Sequence, residues 1–219
     1  MLQPGSPNHE IVNQTIMARY QRAASWYDLV YGPILQPGRK AAIQALALEP
    51  GDRVLEVGVG TGLSLSLYPR AVELTGIDLS QEMLAKARVR AADQRPGSVT
   101  EFLEMDGQQM GFRDDSFDAV LAMYIVGVAA DSAALLNEIC RVCKPNGTIV
   151  IVNHFHSRNP VCAAYNRLLK PLSRLISQRP HMPLREFLQH ANLELESRTR
   201  ANMFRYSTVL KCRNAKAGK

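Results

Sequence analysis

A chain of 219 residues, 46% of them hydrophobic and 21% charged, holds enough apolar material for one domain with a buried core and appendages. It has no run of ~18 apolar residues, which excludes a bilayer-spanning helix, and its four cysteines are too few for a disulfide framework at this length. The net charge of +6 conceals an asymmetry: 17 acidic and 11 basic residues precede position 139, 3 and 15 follow it, and no acid lies between Glu138 and Glu186.

The segment Met1–Asn8 is rich in Pro and Gly and leads into polar residues, unlike a signal peptide, so a cytoplasmic protein is expected. Residues 9–31 carry Val12, Ile16, Tyr20, Ala23, Tyr27 and Val30 at three- and four-residue spacing, which predicts an amphipathic helix broken by Gly32-Pro33. A second helix is expected over about 38–48, ended by the turn Glu49-Pro50-Gly51. The short apolar run Arg53-Val54-Leu55-Glu56-Val57 reads as a buried strand. Helix is then expected at about 61–70, strand at Leu74–Ile77, helix at about 81–92 and strand near Thr100–Leu103. Strand Phe117–Met123, a helix at about 131–143, the turn Lys144-Pro145-Asn146-Gly147 and strand Thr148–Val152 follow. Such alternation predicts an α/β fold, a mostly parallel sheet wound by helices on both faces.

Cys140 and Cys143 form a CxxC inside a helical pattern, and with no second pair they read as core residues, so no metal site is expected. Residues 157–183 are rich in Pro and Arg, with a helical stretch that Pro171 kinks or divides. A helix at Leu184–Ala191 and two alternating runs, Leu193–Thr199 and Met203–Cys212, follow; the runs predict an antiparallel hairpin at the sheet edge. The tail Asn214–Lys219 reads as disordered. Two regions result: residues 1–48, amphipathic helices acting as a lid, and 49–219, the main domain with a basic insert at about 155–183.

The informative stretch is Val54-Leu55-Glu56-Val57-Gly58-Val59-Gly60-Thr61-Gly62. A strand running into closely spaced glycines puts bare backbone at the carboxyl edge of the sheet, where a flat cofactor approaches without meeting a Cβ. A dinucleotide fingerprint needs G-x-G-x-x-G, but here the third glycine comes one residue early and Leu63 stands in its place. No G-x-x-x-x-G-K-[ST] exists either, which excludes an NTP-binding P-loop. Twenty residues beyond Gly58, Asp78 ends a strand, where a carboxylate can accept both hydrogen bonds of a ribose diol. The competing role, capping the next helix, suits Ser80 better. Asp106 ends the following strand region, placed to accept from an adenine amino group, its alternative being a loop turn.

Three acids and a glycine turn at successive strand ends resemble the class I S-adenosylmethionine methyltransferases. Glu56 to Gly62 matches their E-x-G-x-G-x-G, Phe117-Asp118-Ala119-Val120 their fourth-strand motif, and Lys144-Pro145-Asn146-Gly147 the turn before their fifth strand. The resemblance covers roughly 50–153 and implies a seven-stranded sheet whose last strand is inserted antiparallel. It also implies S-adenosylmethionine as cofactor and S-adenosylhomocysteine as product. The implied cofactor residues are Glu56, Gly58, Gly60, Thr61, Gly62, Asp78, Leu79, Met83, Asp106, Gly107 and Met123.

The flanks Tyr20…Trp26-Tyr27-Asp28…Tyr31-Gly32, Leu63-Ser64-Leu65 with Tyr68-Pro69, and Val152-Asn153-His154-Phe155 resemble the soluble bacterial phosphatidylethanolamine N-methyltransferases. Quinone-biosynthesis C-methyltransferases share the core and a similar Tyr-Asp helix, and a small-molecule N- or O-methyltransferase is a further alternative. Arg158, Arg167, Lys170, Arg174 and Arg179, interleaved with Val161, Tyr165, Leu168, Leu172 and Leu175, fit an anionic membrane surface and a lipid phosphate. Each near-surface cation contributes ~1 kcal/mol there; the competing reading is a solvated basic face over core leucines. Nucleic acid is not expected, because aromatics are only 6% and do not interleave with the arginines. The expected state is a monomer, peripherally bound to the inner face of the cytoplasmic membrane. Tyr20, Tyr27, Tyr124 and His154 are the candidates for closing the site, orienting the acceptor and taking its proton.

Overall fold

The computed structural model describes residues 32–94, 100–153, 193–202 and 207–216. Period-two alternation sends successive strand residues to two opposite apolar layers, and a seven-stranded sheet results. Its strands are β1 (Arg53–Val57), β2 (Glu73–Asp78), β3 (Thr100–Glu104), β4 (Phe117–Met123), β5 (Cys143–Asn153), β6 (Leu193–Ala201) and β7 (Ser207–Asn214). They lie in the order β3-β2-β1-β4-β5-β7-β6. The first five pair in parallel, whereas β7 is antiparallel to both β5 and β6. This is the doubly wound α/β sheet with an antiparallel edge hairpin that the sequence predicts.

Val54, Leu74, Leu121, Val150 and Val209 face one layer, which α1 (32–46) and α2 (Gln81–Gln94) cover with Ala42, Ile43, Leu46, Leu84 and Ala87. Leu55, Ile77, Val120, Ile149, Ile151 and Leu210 face the other, covered by Leu135, Leu136, Ile139 and Val142 of α3 (Ser132–Val142). Each fully buried Leu, Ile or Val contributes about 1.5–3 kcal/mol relative to exposure. Helix α3 starts where the Asp131 carboxylate accepts from Ala133 N at 2.9 Å and Ala134 N at 3.0 Å. Among the described residues no helix is long and apolar enough to cross a membrane.

Four local expectations change. The second helix begins earlier than expected, at 32–46 rather than about 38–48, with Leu35, Ala42, Ile43 and Leu46 as its buried face; the helix expected at 9–31, and with it the break at Gly32-Pro33, lies outside the described residues. The helix at 61–70 shrinks to a 3-10 turn, Leu65–Leu67, since left-handed Gly60 and Gly62 precede it and Pro69 follows. Lys144-Pro145-Asn146-Gly147 is a bulge within β5 rather than a turn before it: Phe117 pairs with Cys143 and Ala119 with Thr148, with Asn146 left-handed at φ 60°.

The tail is anchored as far as Lys216. Asn214 is buried and its Nδ2 reaches the carbonyls of Cys140, Cys143 and Lys144 at 2.9, 2.8 and 3.2 Å, and Lys216 pairs with Asp115. Burial pushes the thiols of Cys140 up to about 11 and of Cys143 and Cys212 to about 12, as core residues rather than reactive ones would show. Asn214→Ala should destabilise the fold by about 2–3 kcal/mol in urea melts, because carbonyls at the end of α3 lose their donor. A loss below a few tenths would show that water replaces the amide.

Candidate active site

The chain leaves β1 through Gly58, Gly60 and Gly62 at φ of 73°, 56° and 77°. These values favour glycine, but the surroundings of the three differ. A Cβ on Gly58 would lie 2.7 Å from Ile125 Cδ1, and one on Gly62 2.6 Å from Leu65 Cδ1, so both are also required for close packing. A Cβ on Gly60 would meet nothing within 4 Å, because that residue borders a cleft. The loop is tied to β2: Gly58 N and Val59 N donate to Ile77 O at 2.8 and 3.0 Å, and Gly60 N donates to Asp78 Oδ2 at 2.9 Å. Ser80 N donates to the other oxygen at 3.0 Å. The Ser80 hydroxyl in turn accepts from Met83 N at 3.3 Å, so Ser80 serves the start of α2 while Asp78 faces the cleft.

The cleft measures about 180 Å³ and crosses the carboxyl ends of β3, β2, β1 and β4. At the β3 end, Asp106 Oδ1 accepts from Gln108 N and Nε2 at 2.9 and 3.0 Å, and Gln108 Oε1 accepts from Asp131 N at 2.5 Å. Gly107 sits where a Cβ would come within 2.9 Å of Val57 and Leu135. At the β1 end lies Glu56, 2% exposed, with Ser64 Oγ 2.8 Å from both carboxyl oxygens and Tyr68 Oη donating at 2.8 Å. Tyr124 follows β4 in a left-handed conformation at φ 61°, its N–H bonded to Val152 O at 2.7 Å.

Ten of the eleven expected cofactor residues therefore line one cleft: Glu56, Gly58, Gly60, Thr61, Asp78, Leu79, Met83, Asp106, Gly107 and Met123, with Tyr124 among them. Gly62 packs against Leu65 and Ala87 and does not line the cleft. Tyr20, Tyr27, His154, Arg158, Arg167, Lys170, Arg174 and Arg179 lie outside the described residues. Sequence reasoning missed Arg39 of α1, which lines the cleft at 7% exposure and donates to Gly32 O at 3.0 Å and Gln36 Oε1 at 3.3 Å. Its signal was visible: an arginine in step with Leu35, Ala42, Ile43 and Leu46 on the apolar face of a helix.

The donor set suits a nucleoside joined to an amino acid. Acids stand at two strand ends, Leu79, Met83 and Leu135 supply apolar wall, and Arg39 and Glu56 add groups of opposite charge. Burial raises the Asp78 carboxyl above its ordinary range, opposed by the backbone N–H groups of Ser80, Gly60 and Leu79.

Burial pushes Glu56 up to about 7, against the Ser64 and Tyr68 hydrogen bonds and the Arg39 charge. The unfolded chain releases that proton near 4.5, so the contribution of Glu56 to stability is whole below pH 4.5 and is lost as pH rises towards 7. The loss is roughly 3 kcal/mol. The stability difference between wild type and Glu56→Gln, from urea melts at about pH 4.5 and about pH 8, should shift by that amount in favour of the variant. A difference that does not vary with pH would show that Glu56 does not titrate in this interval.

Residues 55–151 match a protein family described as a methyltransferase domain. The chain is 42% identical over 146 residues to the phosphatidylethanolamine N-methyltransferase of Cereibacter sphaeroides, a match that covers 66% of this chain and 71% of that protein. It is 35% identical over 147 residues to the demethylmenaquinone methyltransferase of Tropheryma whipplei, covering 65% of this chain and 60% of that one. Among solved structures, a chain from the complex of the Haloferax volcanii Trm112 methyltransferase activator superimposes with a TM-score of 0.76 at 20% identity, covering 93% of this chain and 99% of that chain. With a 42% identical relative matched over most of its length and this cleft at the sheet's carboxyl edge, the chain belongs to the class I S-adenosylmethionine-dependent methyltransferases, and S-adenosylmethionine is its cofactor.

Proposed function

We propose that this enzyme methylates the amine of phosphatidylethanolamine, and of its methylated intermediates, towards phosphatidylcholine at a membrane surface. The observation that carries this reading is the 42% identity to the Cereibacter sphaeroides enzyme. The acid-free interval between Glu138 and Glu186 supports it, since eight basic residues there suit a phosphate-bearing lipid and an anionic surface. A quinone-ring C-methyltransferase is the second reading, favoured by the 35% identity to the Tropheryma whipplei protein. A neutral ring gives no reason for that basic interval.

S-adenosylmethionine brings an electrophilic methyl group on a sulfonium, and the work of the chain is to position and desolvate. Asp78 would accept from the ribose hydroxyls and Asp106 from the adenine amine, each a charge-assisted hydrogen bond. Arg39 would hold the carboxylate of the amino-acid part and Glu56 its ammonium. A nearby cation favours the ionised form of Glu56, a group poised near neutrality. The acceptor amine must shed a proton to expose its lone pair. Burial pushes the Tyr124 hydroxyl upward, so it stays a neutral phenol and suits orientation rather than proton uptake. His154, which follows Asn153 in the chain, is the better candidate for that proton. Tyr20 and Tyr27 would close the cleft, and Arg158, Arg167, Lys170, Arg174 and Arg179 would face the lipid phosphates.

Asp78→Ala should weaken S-adenosylhomocysteine binding by about 2–4 kcal/mol, because the diol loses a charged acceptor and Gly60 its tether. Unchanged affinity in a folded variant, by calorimetry, would remove Asp78 from the site. The substrate is tested by incubating protein and methyl-labelled cofactor with vesicles of mixed phospholipid and, separately, with a demethylated quinone. Label in mono-, di- and trimethylated ethanolamine lipid is expected. Label confined to the quinone would replace the lipid reading.

A further inference from the structure

Thr61 stands between two left-handed glycines, Gly60 and Gly62, and lines the cleft at 6% exposure. Arg90, half-buried in the third turn of α2, reaches it from outside the cleft. One guanidinium nitrogen donates to Thr61 O at 2.5 Å and to Thr61 Oγ1 at 3.1 Å. The loop also leans on the helix itself, since a Cβ on Gly62 would come within 3.3 Å of Ala87 Cα. Ala87 is fully buried and precedes Arg90 by three residues, on the same helix face. Arg88, between them, turns elsewhere and donates to Phe102 O of β3 at 2.8 Å.

The glycine loop is thus gripped twice, and the two grips have opposite polarity. Asp78, at the end of β2, accepts from Gly60 N at 2.9 Å, and Arg90, on the helix that follows β2, donates to Thr61 O. A carboxylate can only accept and a guanidinium can only donate, so each takes the backbone group that the other cannot. Both bonds are charge-assisted and of the stronger kind. The backbone torsions of Gly60 and Thr61 lie between these two anchors. A Cβ on Gly60 would meet nothing within 4 Å, and glycine has the greatest backbone freedom of any residue, so polar anchors matter most at this point of the loop.

We propose that Arg90 is a positioning residue for S-adenosylmethionine: from α2, without lining the cleft, it holds Thr61 and so keeps the outgoing limb of the glycine loop in the shape that receives the cofactor. The inference rests on the cleft holding the cofactor and not on which acceptor is methylated. It gives the unit β2–α2 a second part in the site, beyond the acid that ends its strand.

Arg90→Met keeps an apolar stem and removes the donors, whereas Arg90→Lys keeps the charge and a donating group. Calorimetry with S-adenosylhomocysteine should show binding weakened about tenfold in Arg90→Met and less in Arg90→Lys. The shape of the loop is read without any ligand. Only two glycines follow a threonine, Gly62 and Gly76, so protein labelled with 13C at threonine carbonyls and 15N at glycine gives two coupled amide signals. Thr75→Ser removes that of Gly76 and so tells them apart. The Gly62 signal should move in Arg90→Met, while that of Gly76, inside β2, should stay. An unmoved Gly62 signal overturns the inference, and so does a larger loss of affinity in Arg90→Lys than in Arg90→Met. Unchanged affinity in Arg90→Met beside weakened binding in Asp78→Ala refutes the role of Arg90 alone. Unchanged affinity in both variants refutes that role and removes the cleft as the cofactor site as well.

Discussion

After β1 the chain has to turn away from the sheet while keeping its backbone N–H groups bonded, and it does so through three alternate left-handed glycines. What makes that path stable is the neighbouring strand. The loop begins with Gly58 and Val59 both donating to Ile77 O, and Gly60 then donates to the Asp78 carboxylate. Because β1 and β2 are parallel, both carboxyl ends reach the same edge, so the acid that ends β2 is already beside the loop that leaves β1. The same register sets Met105 N on Asp78 O, which brings Asp106 to that edge too. Remove the tie between loop and β2, and the cleft loses its floor and two of its acids together.

That arrangement has an electrostatic consequence. Two carboxyls, Glu56 and Asp78, are taken out of water, and burial raises both. Hydrogen bonds from Ser64, Tyr68 and backbone N–H groups offset the cost without cancelling it. A fold selected for stability alone would place apolar residues there, and strained, incompletely compensated charge is what binding sites carry. The other ion pairs follow the opposite rule. Partial burial would raise Asp118, yet Lys144 and Arg53 N hold it below its ordinary range on the surface, away from the cleft.

What was legible in the sequence follows the range of the contacts involved. The strands were legible because burial on both faces writes itself as short apolar runs, and Phe117–Met123 is found with its expected bounds. The cofactor loop was legible because its requirements, a missing Cβ and an acid at a fixed spacing, are local. The apolar spacing around Leu65–Leu67 reads as a full helix because it does not show that Ser64 and Tyr68 answer to Glu56 rather than to helix geometry. The anchoring of the tail is not legible locally, because the partners of Asn214 lie about seventy residues earlier. Arg39 left a faint trace, a cation on an apolar helix face, and the bond from Gly38 N to Asn202 Oδ1 left none, since the two stand 164 positions apart.

The same division separates the two halves of the site. The described residues expected to hold cofactor come from a stretch that runs from Glu56 to Met123, tied by bonds between adjacent strands. Tyr124 stands where that stretch ends, and its surroundings come from α1 and from the edge hairpin instead. Cofactor binding is therefore set by a framework that many chemistries can share, and fold alone says little about the acceptor. A change of acceptor need not disturb the glycine loop or the strand-end acids. The groups around Tyr124 belong instead to α1 and the β6–β7 hairpin, which do not carry the tie between β1 and β2.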